Sequence, residues 1–443
     1  MIGLGAIVGW CAWAWAAAPQ LELCEAVRQP SEDEASEPLA LGRDGWLFRQ
    51  SDIEPQYAVG DDLVAGLSRW SANLAARGTR LALVLLPPRA VLAAAKVDTA
   101  DPLASGFDPA RVAASYHAAV AALRGTGVIV PDLLAAAETG GLGTAYFFAR
   151  DHHWRPRGAQ DAMEALAREV SLAGLRFSPV PFANDDEGDR VLHGSLGKRV
   201  QASCGGRAPR AETFPRFRSV ALAPVDSSAL LADLPPAEVV LAGTSHSNKG
   251  NEDLLNAGGF LRTALGTDVL NVGVDAGGYG TGLLGWLESG HALDPAPRLL
   301  AWEIGGRVPA SLGEFFRVLI PTSFGDCDQP VAAWTGELRA GLTPLFATGA
   351  VAGEHYVVLE TDDRSVVNFS VRFELVGGMI DVVTVRRGTR AGNPGKHFVA
   401  GPLSPTPLSR VAITTPAGTS TSAAARLCAF PPDEAGVKRL RGG

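Results

Sequence analysis

The apolar residues of this 443-residue chain change their period once, near Cys327, and that change constrains the fold more than any other feature. Upstream, short continuous apolar runs closed by Pro or Gly alternate with segments of helical spacing. "RLALVLLPP" (80–88) stops at Pro87-Pro88, as a buried strand should. "PARVAASYHAAVAALRGTG" (109–127) has helical spacing and a glycine stop, and "VIVPDL" (128–133) follows as the next strand. "AEVVLAGTS" (237–245), "DVLNVGV" (268–274) and "RLLAWEIG" (298–305) read as further buried strands. Strands interleaved with helices predict an α/β domain over residues 19–325, a mostly parallel sheet with flanking helices. Residues 181–215, rich in Gly, Arg and other polar residues, read as an excursion off that sheet. Downstream, "HYVVLETDD", "SVVNFSVRFELVGG", "MIDVVTVRRG", "KHFVAG" and "RVAITTPAG" are short alternating strands punctuated by Gly, Pro and Asp. Residues 326–443 are therefore expected to form an all-β sandwich.

A hydrophobic content of 47% supplies enough apolar side chains for two such cores. The formal charge of −8 excludes a generally basic nucleic-acid binder. From Gln329 onward 12 Lys+Arg face 9 Asp+Glu, a net of +3, which leaves −11 for the rest. A mildly basic tail on an acidic body suggests two surfaces with different partners.

The first 18 residues are a continuous apolar run ending in Ala16-Ala17-Ala18, which fits a signal-peptidase site. We read residues 1–18 as a cleaved signal peptide and place the mature protein in the periplasm; an uncleaved anchor is the competing reading. Cleavage removes Cys11 and leaves Cys24, Cys204, Cys327 and Cys428. An even number in an exported protein suggests two disulfides, with three pairings formally open. Cys24–Cys204 and Cys327–Cys428 are expected, because each pair then brackets one compositional region. No two of the four sit at zinc-chelating spacing.

Two short stretches carry chemistry. "VVLAGTSHS" places Ser245 at the C-terminal end of a buried strand, where open α/β sheets hold their active residues. A tight turn there would expose Oγ and free the backbone N–H of Ser245 or its neighbour for an oxyanion. The competing reading is that Thr244 or Ser245 simply caps the next helix. A serine also needs a base, and the base an orienting carboxylate. "DHHW" (151–154) offers both: Asp151 and His153, two apart, fall on one side of an extended segment, with His152 on the other. Trp154 is expected to pack under the loop, and Pro156 to open a helix. Binding a metal instead would take further ligands; His193 and Asp189 are the conceivable ones, and nothing in their spacing recruits them. "GGYGTG" (277–282) is out of register for a dinucleotide fingerprint, so no cofactor is expected.

The ordered set "GRDGWLF" (42–48), "DHHW", "GTSHS" (243–247), "DVLNVGVDAGGYG" (268–280) and "WEIGGR" (302–307) resembles the AlgX/AlgJ group. These are SGNH-hydrolase-like O-acetyltransferases of exopolysaccharide such as alginate. The cysteine layout and β-rich tail resemble the AlgX branch, which carries a C-terminal carbohydrate-binding module. The resemblance implies catalytic roles for Asp151, His153 and Ser245, and candidate oxyanion or acceptor contacts at Gly277, Gly278, His246 and Arg307. Two departures stand out: His246 replaces a usual aromatic residue, and "WEIGGR" replaces "WEIPER", keeping Glu303 and Arg307. The implied partners are an anionic exopolysaccharide, an acetyl-donor protein or small acetyl ester, and a polysaccharide export complex. An acetylesterase using the same residues, and a non-catalytic polymer-binding scaffold, remain as alternatives. In the tail, Arg386, Arg387, Arg390 and Lys396 are the candidate carboxylate-binding residues, because Gly and Pro around them imply an exposed loop, and guanidinium groups suit uronate carboxylates. Trp334 is the candidate stacking residue, although most tail aromatics should be core.

Overall fold

The computed structural model describes residues 23–29, 37–55, 57–205, 209–222, 236–250, 253–289, 293–309, 312–387 and 392–442. The expected signal peptide lies outside these residues, and so does Arg390. Among the described residues, no helix is long and apolar enough to cross a membrane.

Among the described residues fourteen strands are formed. In chain order they are β1 (Leu39–Leu41), β2 (Leu47–Arg49), β3 (Arg80–Leu85), β4 (Phe182–Leu192), β5 (Glu212–Ala221), β6 (Val239–Ala242), β7 (Val269–Asn271) and β8 (Leu299–Ile304) in the first part. β9 (Ala332–Ala347), β10 (His355–Thr361), β11 (Asn368–Leu375), β12 (Ile380–Arg386), β13 (Lys396–Ala400) and β14 (Leu408–Ala429) follow. The central sheet has the order β3-β8-β6-β7, and every pair in it is parallel. β3, β6 and β8 are buried along almost their whole length, which is why they read as continuous apolar runs. Helices Asp61–Ala76, Pro109–Arg124, Pro156–Leu172, Ala257–Leu265 and Gly278–Leu287 supply the flanking layers. Two expected strands are shorter than read. "VIVPDL" contributes only a parallel bridge from Ile129 to Ala82, and "DVLNVGV" keeps only Val269–Asn271. In both, a Pro or Gly follows within a few residues and the backbone turns away to form loops.

The polar excursion is an antiparallel ribbon, β4 with β5, enclosing the helix Ser195–Cys204. Disulfide Cys24–Cys204 pins the far end of that helix to the N-terminal segment, and Cys327–Cys428 ties the start of the β region to β14. Both expected pairings are present.

The expected sandwich takes a different form. β9 and β14 are long, and they pair along two stretches interrupted between Thr415 and Ser420. The first half of β14 also pairs with β11, and its second half with β10. A single six-stranded antiparallel sheet therefore folds on itself into a barrel-like domain, where two separate sheets were expected. The bend falls at Pro416-Ala417-Gly418, where Gly418 adopts φ 85°.

The β part has a core of its own, and a second core spans both parts. Tyr356, Phe398 and Phe430 from the β region pack in the same cluster as Trp70, Trp302 and Phe316. Arg317, on the helix Leu312–Phe324, bridges to Asp381 and to the carbonyl of Ala400. The C-terminal helix Ala435–Gly442 returns to the α/β part, where Glu434 accepts from Arg69 at 2.7 and 3.0 Å and from Asn73 at 2.6 Å.

Candidate active site

β6 runs out at Ala242, and the chain turns at once: the carbonyl of Thr244 accepts from the amides of Ser247 and Asn248. No helix starts here; the next begins at Ala257, so the capping reading of Thr244 and Ser245 does not apply. The turn presents Ser245, 8% exposed, at the C-terminal edge of the sheet. Its Oγ lies 2.7 Å from Nε2 of His153. The Nδ1 of His153 is hydrogen-bonded to Oδ1 of Asp151, and the His153 amide donates to the same oxygen at 2.9 Å. Asp151, His153 and Ser245 thus form one hydrogen-bonded line, and the first two are almost fully buried.

The local geometry of "DHHW" is a loop, not the extended segment expected. Phe147 and Trp154 form an antiparallel bridge, and the amide of Phe148 donates to the carbonyl of His153. Asp151 closes the loop on itself by accepting from an amide two residues ahead, a short-range bond that Asp makes readily. His152 accordingly does not point away from His153. Its ring lies 3.9 Å from that of His153, with Nδ1 3.1 Å from Ser195 Oγ. Trp154 is fully buried and donates from Nε1 to the carbonyl of His246, as its expected packing under the loop requires. Pro156 occupies the first turn of Pro156–Leu172.

The second oxygen of Asp151 is held by the excursion. The helix Ser195–Cys204 begins there, and the Ser195 amide donates to Asp151 Oδ2 at 2.7 Å. A helix N-terminus favours an anion, so this helix supports the ionised carboxylate. Gly194 is required at the approach, because a Cβ there would lie 2.1 Å from the carbonyl of Arg150. Nothing in the local sequence linked residue 195 to residue 151; the contact comes from the ribbon topology.

These surroundings set the charges. Burial would raise the Asp151 carboxyl, but the hydrogen bond and charge of His153 prevail and hold it well below its ordinary value. Burial lowers the pKa of His153 despite Asp151, and the charge of Lys249 pushes the same way. His152 and His246 are pushed well below the ordinary value, by burial first and then by His153. At neutral pH His153 is therefore an uncharged imidazole, oriented by a carboxylate and in contact with a serine hydroxyl. That arrangement can take the hydroxyl's proton.

In the turn, the amides of Thr244, His246, Ser247 and Asn248 are all hydrogen-bonded. The amide of Ser245 has no acceptor among the described residues, which leaves it available to an oxyanion. The Val274 amide donates to the Gly243 carbonyl, laying the 274–278 loop against this turn. Gly277 is not available in the same way, since its amide donates to Val274 O at 3.0 Å. Gly278 starts the helix Gly278–Leu287 with φ 68°. His246 is buried between His153 and Trp154, with Nδ1 3.2 Å from Thr244 Oγ1 and Nε2 3.3 Å from the carbonyl of His152. It braces the site and is buried to the same degree as Ser245. Arg307 is exposed, just beyond the end of β8. A pocket lined by Arg49, Pro88, Phe147, His152, His246 and Gly306 opens beside these groups. Asp151, His152 and His153 also offer three donor atoms within 4.8 Å of one another, but those of His153 and Asp151 are already committed to the serine line.

Two of the tail candidates are otherwise engaged. Arg387 is buried and ion-paired with Glu288 at the boundary with the α/β part. Lys396 bridges Asp326 and Glu360 at 2.8 and 2.7 Å, a network that Arg426 joins. Neither side chain stands in an open loop, because the strand ends there pack against the neighbouring part. Arg386 is exposed, and Trp334 is half-buried against the β core.

A parallel sheet carrying a serine–histidine–aspartate line at its C-terminal edge, joined to an antiparallel β domain, defines an SGNH-hydrolase-like protein with an accessory β domain. The family model for the SGNH hydrolase-like domain of acetyltransferase AlgX matches residues 39–305, and the chain belongs to that family. It is 24% identical over 368 residues to the alginate biosynthesis protein AlgX of Pseudomonas aeruginosa, covering 81% of this chain and 76% of that one. It is 27% identical over 313 residues to the probable alginate O-acetylase AlgJ of Pseudomonas fluorescens, covering 68% and 73%. The solved structure of P. aeruginosa AlgX superposes with a TM-score of 0.77 at 21% identity, over 92% of this chain and all of that one. The O-acetyltransferase domain of Pseudomonas putida AlgJ reaches 0.50 at 24% identity over 62% of this chain, 92% of its own. The larger coverage of the AlgX match shows that both parts of the fold are common to the two proteins.

Proposed function

We propose that this protein is a periplasmic O-acetyltransferase that modifies an anionic exopolysaccharide, alginate or a similar uronate polymer, through an acetyl-serine intermediate. One observation carries the proposal: Ser245 Oγ lies 2.7 Å from an imidazole whose other nitrogen is fixed on a buried carboxylate. The names of the relatives supply the substrate class. His153 takes the proton from Ser245 as Oγ attacks the acetyl carbonyl of the donor, a protein-borne or small ester. The tetrahedral oxyanion is met by the free Ser245 amide. Collapse expels the donor's alcohol, which takes the proton from His153 and leaves acetyl-Ser245. A sugar hydroxyl then gives its proton to His153 and attacks the same carbonyl. The second collapse releases the acetyl sugar and returns the proton to Ser245 Oγ. The two disulfides and the apolar N-terminus support an exported protein, cleaved after residue 18. Arg386, Arg390 and Trp334 are the remaining candidates for polymer contact, and a polysaccharide export complex is the setting the relatives suggest.

The test is product analysis with a small acetyl ester and an oligouronate. Acetylated sugar, absent with Ser245→Ala, is the expected result. Free acetate with no acetylated sugar would make the protein an esterase, and equal products from wild type and Ser245→Ala would leave only the scaffold.

A further inference from the structure

Glu303 is fully buried at the C-terminal end of β8, the strand next to β6. Parallel register pairs Ala242 with Trp302, so the residue after each, Gly243 and Glu303, meet beneath the turn that carries Ser245. Both carboxylate oxygens point into that turn. They accept from the Thr244 amide at 2.7 Å, from the Thr244 hydroxyl at 2.9 and 3.1 Å, and from the Ser247 hydroxyl at 3.2 Å. Thr244 Oγ1 in turn accepts from the His246 amide at 3.1 Å. Gly243 makes room for this: a Cβ there would lie 2.6 Å from both Glu303 Oε2 and Ser247 Oγ.

This arrangement is a poor device for stability alone. A buried carboxylate is costly to desolvate, and Glu303 has no cationic partner among the described residues. Burial raises its pKa to about 7, even with its hydrogen bonds opposing the shift. The groups that benefit from it are those on either side of Ser245. They present three donors at once to Oε2, one of which also reaches Oε1, which suits an acceptor-only carboxylate.

We infer that Glu303 is a positioning residue for the acetyl-transfer step, holding Thr244 and Ser247 so that the Ser245 hydroxyl stays on His153 while its amide faces the oxyanion. The inference rests on the reading of Ser245 as nucleophile and deepens it. The oxyanion exists only in the tetrahedral states, so loosening this turn should lower kcat and leave KM nearly unchanged.

The experiment measures hydrolysis of p-nitrophenyl acetate by the disulfide-bonded protein, together with its Tm at pH 8. Glu303→Gln keeps the shape but removes the charge and puts a donor NH2 where Oε1 accepts from the Thr244 hydroxyl. The expected result is a kcat at least thirtyfold lower, KM within twofold, and a Tm equal to or above wild type, because a buried charge is gone. A kcat within threefold of wild type would overturn the inference. So would a kcat loss that only tracks a fall in Tm. Should Glu303→Gln not fold, Thr244→Ala decides: a tenfold lower kcat at unchanged KM and Tm supports the inference, and an unchanged kcat overturns it. Ser245→Ala runs alongside. If it is inactive while Glu303→Gln is fully active, only the role of Glu303 is wrong. If it is as active as wild type, Ser245 is not the nucleophile and both fall.

Discussion

The surroundings of Ser245 and the boundary of the β part treat their charged groups in opposite ways. Around Ser245, Asp151 and Glu303 are buried with no Lys or Arg among the described residues hydrogen-bonded to either, and three histidines with lowered pKa values are crowded together. In the β part, Lys396 and Arg426 share Asp326 and Glu360 near the surface, and Arg317 reaches across to Asp381. The first pattern sacrifices stability to keep polar groups reactive and aimed. The second fixes one part of the molecule against the other. The two regions thus differ in what their charges do, and substitutions should separate them.

The largest effects should come from the serine line. Ser245→Ala or His153→Ala is expected to lower acetyl transfer by a factor of about a thousand or more, with Tm unchanged. Asp151→Asn should follow with a loss of about a hundredfold or more, because the imidazole loses its orienting carboxylate. Initial rates of acetyl-ester turnover measure both. A loss of that size from Arg317→Ala, in which only the inter-domain bridge is cut, would break the comparison.

Removing the disulfides sharpens it. Cys24→Ser with Cys204→Ser, and separately Cys327→Ser with Cys428→Ser, should each cost about 2–5 kcal/mol of stability in denaturant titration. Only the first pair should also lower kcat in the folded protein, by several-fold. Its helix ends at Cys204 and starts on Asp151.

Smaller shifts concern pH. Lys249 lowers the basicity of His153, so Lys249→Gln should raise that pKa and move the acid limb of the kcat/KM profile to higher pH. An unmoved limb would remove Lys249 from the account. In the β part, burial pushes buried His397 down to about 3. The unfolded chain therefore takes up a proton near pH 6.5 that the folded chain refuses, and stability from this residue is lost as pH falls from about 6.5 toward 3. His397→Leu should flatten that part of the Tm–pH curve while leaving kcat at neutral pH within twofold.

The sequence revealed most where the chemistry was compact. Asp151, His153 and Ser245 could be named because an acid, a base and a hydroxyl stood in short motifs at a strand end, and the cysteine pairs because each bracketed one region. Side chains supplied by distant elements were hidden. The Ser195 amide reaches Asp151 only through the β4–β5 ribbon, and Glu303 meets Thr244 only through the parallel register of β6 and β8. Arg387 and Lys396 misled for the same reason, since their acidic partners Glu288 and Asp326 come from outside the local loop. In the β part, alternation identified the strands but not that β9 and β14 each pass through both halves of a folded sheet.

The central claim is that Ser245 carries the acetyl group between donor and polymer. Mass spectrometry of the protein after brief exposure to a small acetyl ester tests it most directly. An acetyl adduct is expected on the Ser245 peptide, absent in Ser245→Ala, that added oligouronate discharges as acetylated sugar. No adduct on that peptide, or one that only water discharges in the presence of the sugar, would contradict it.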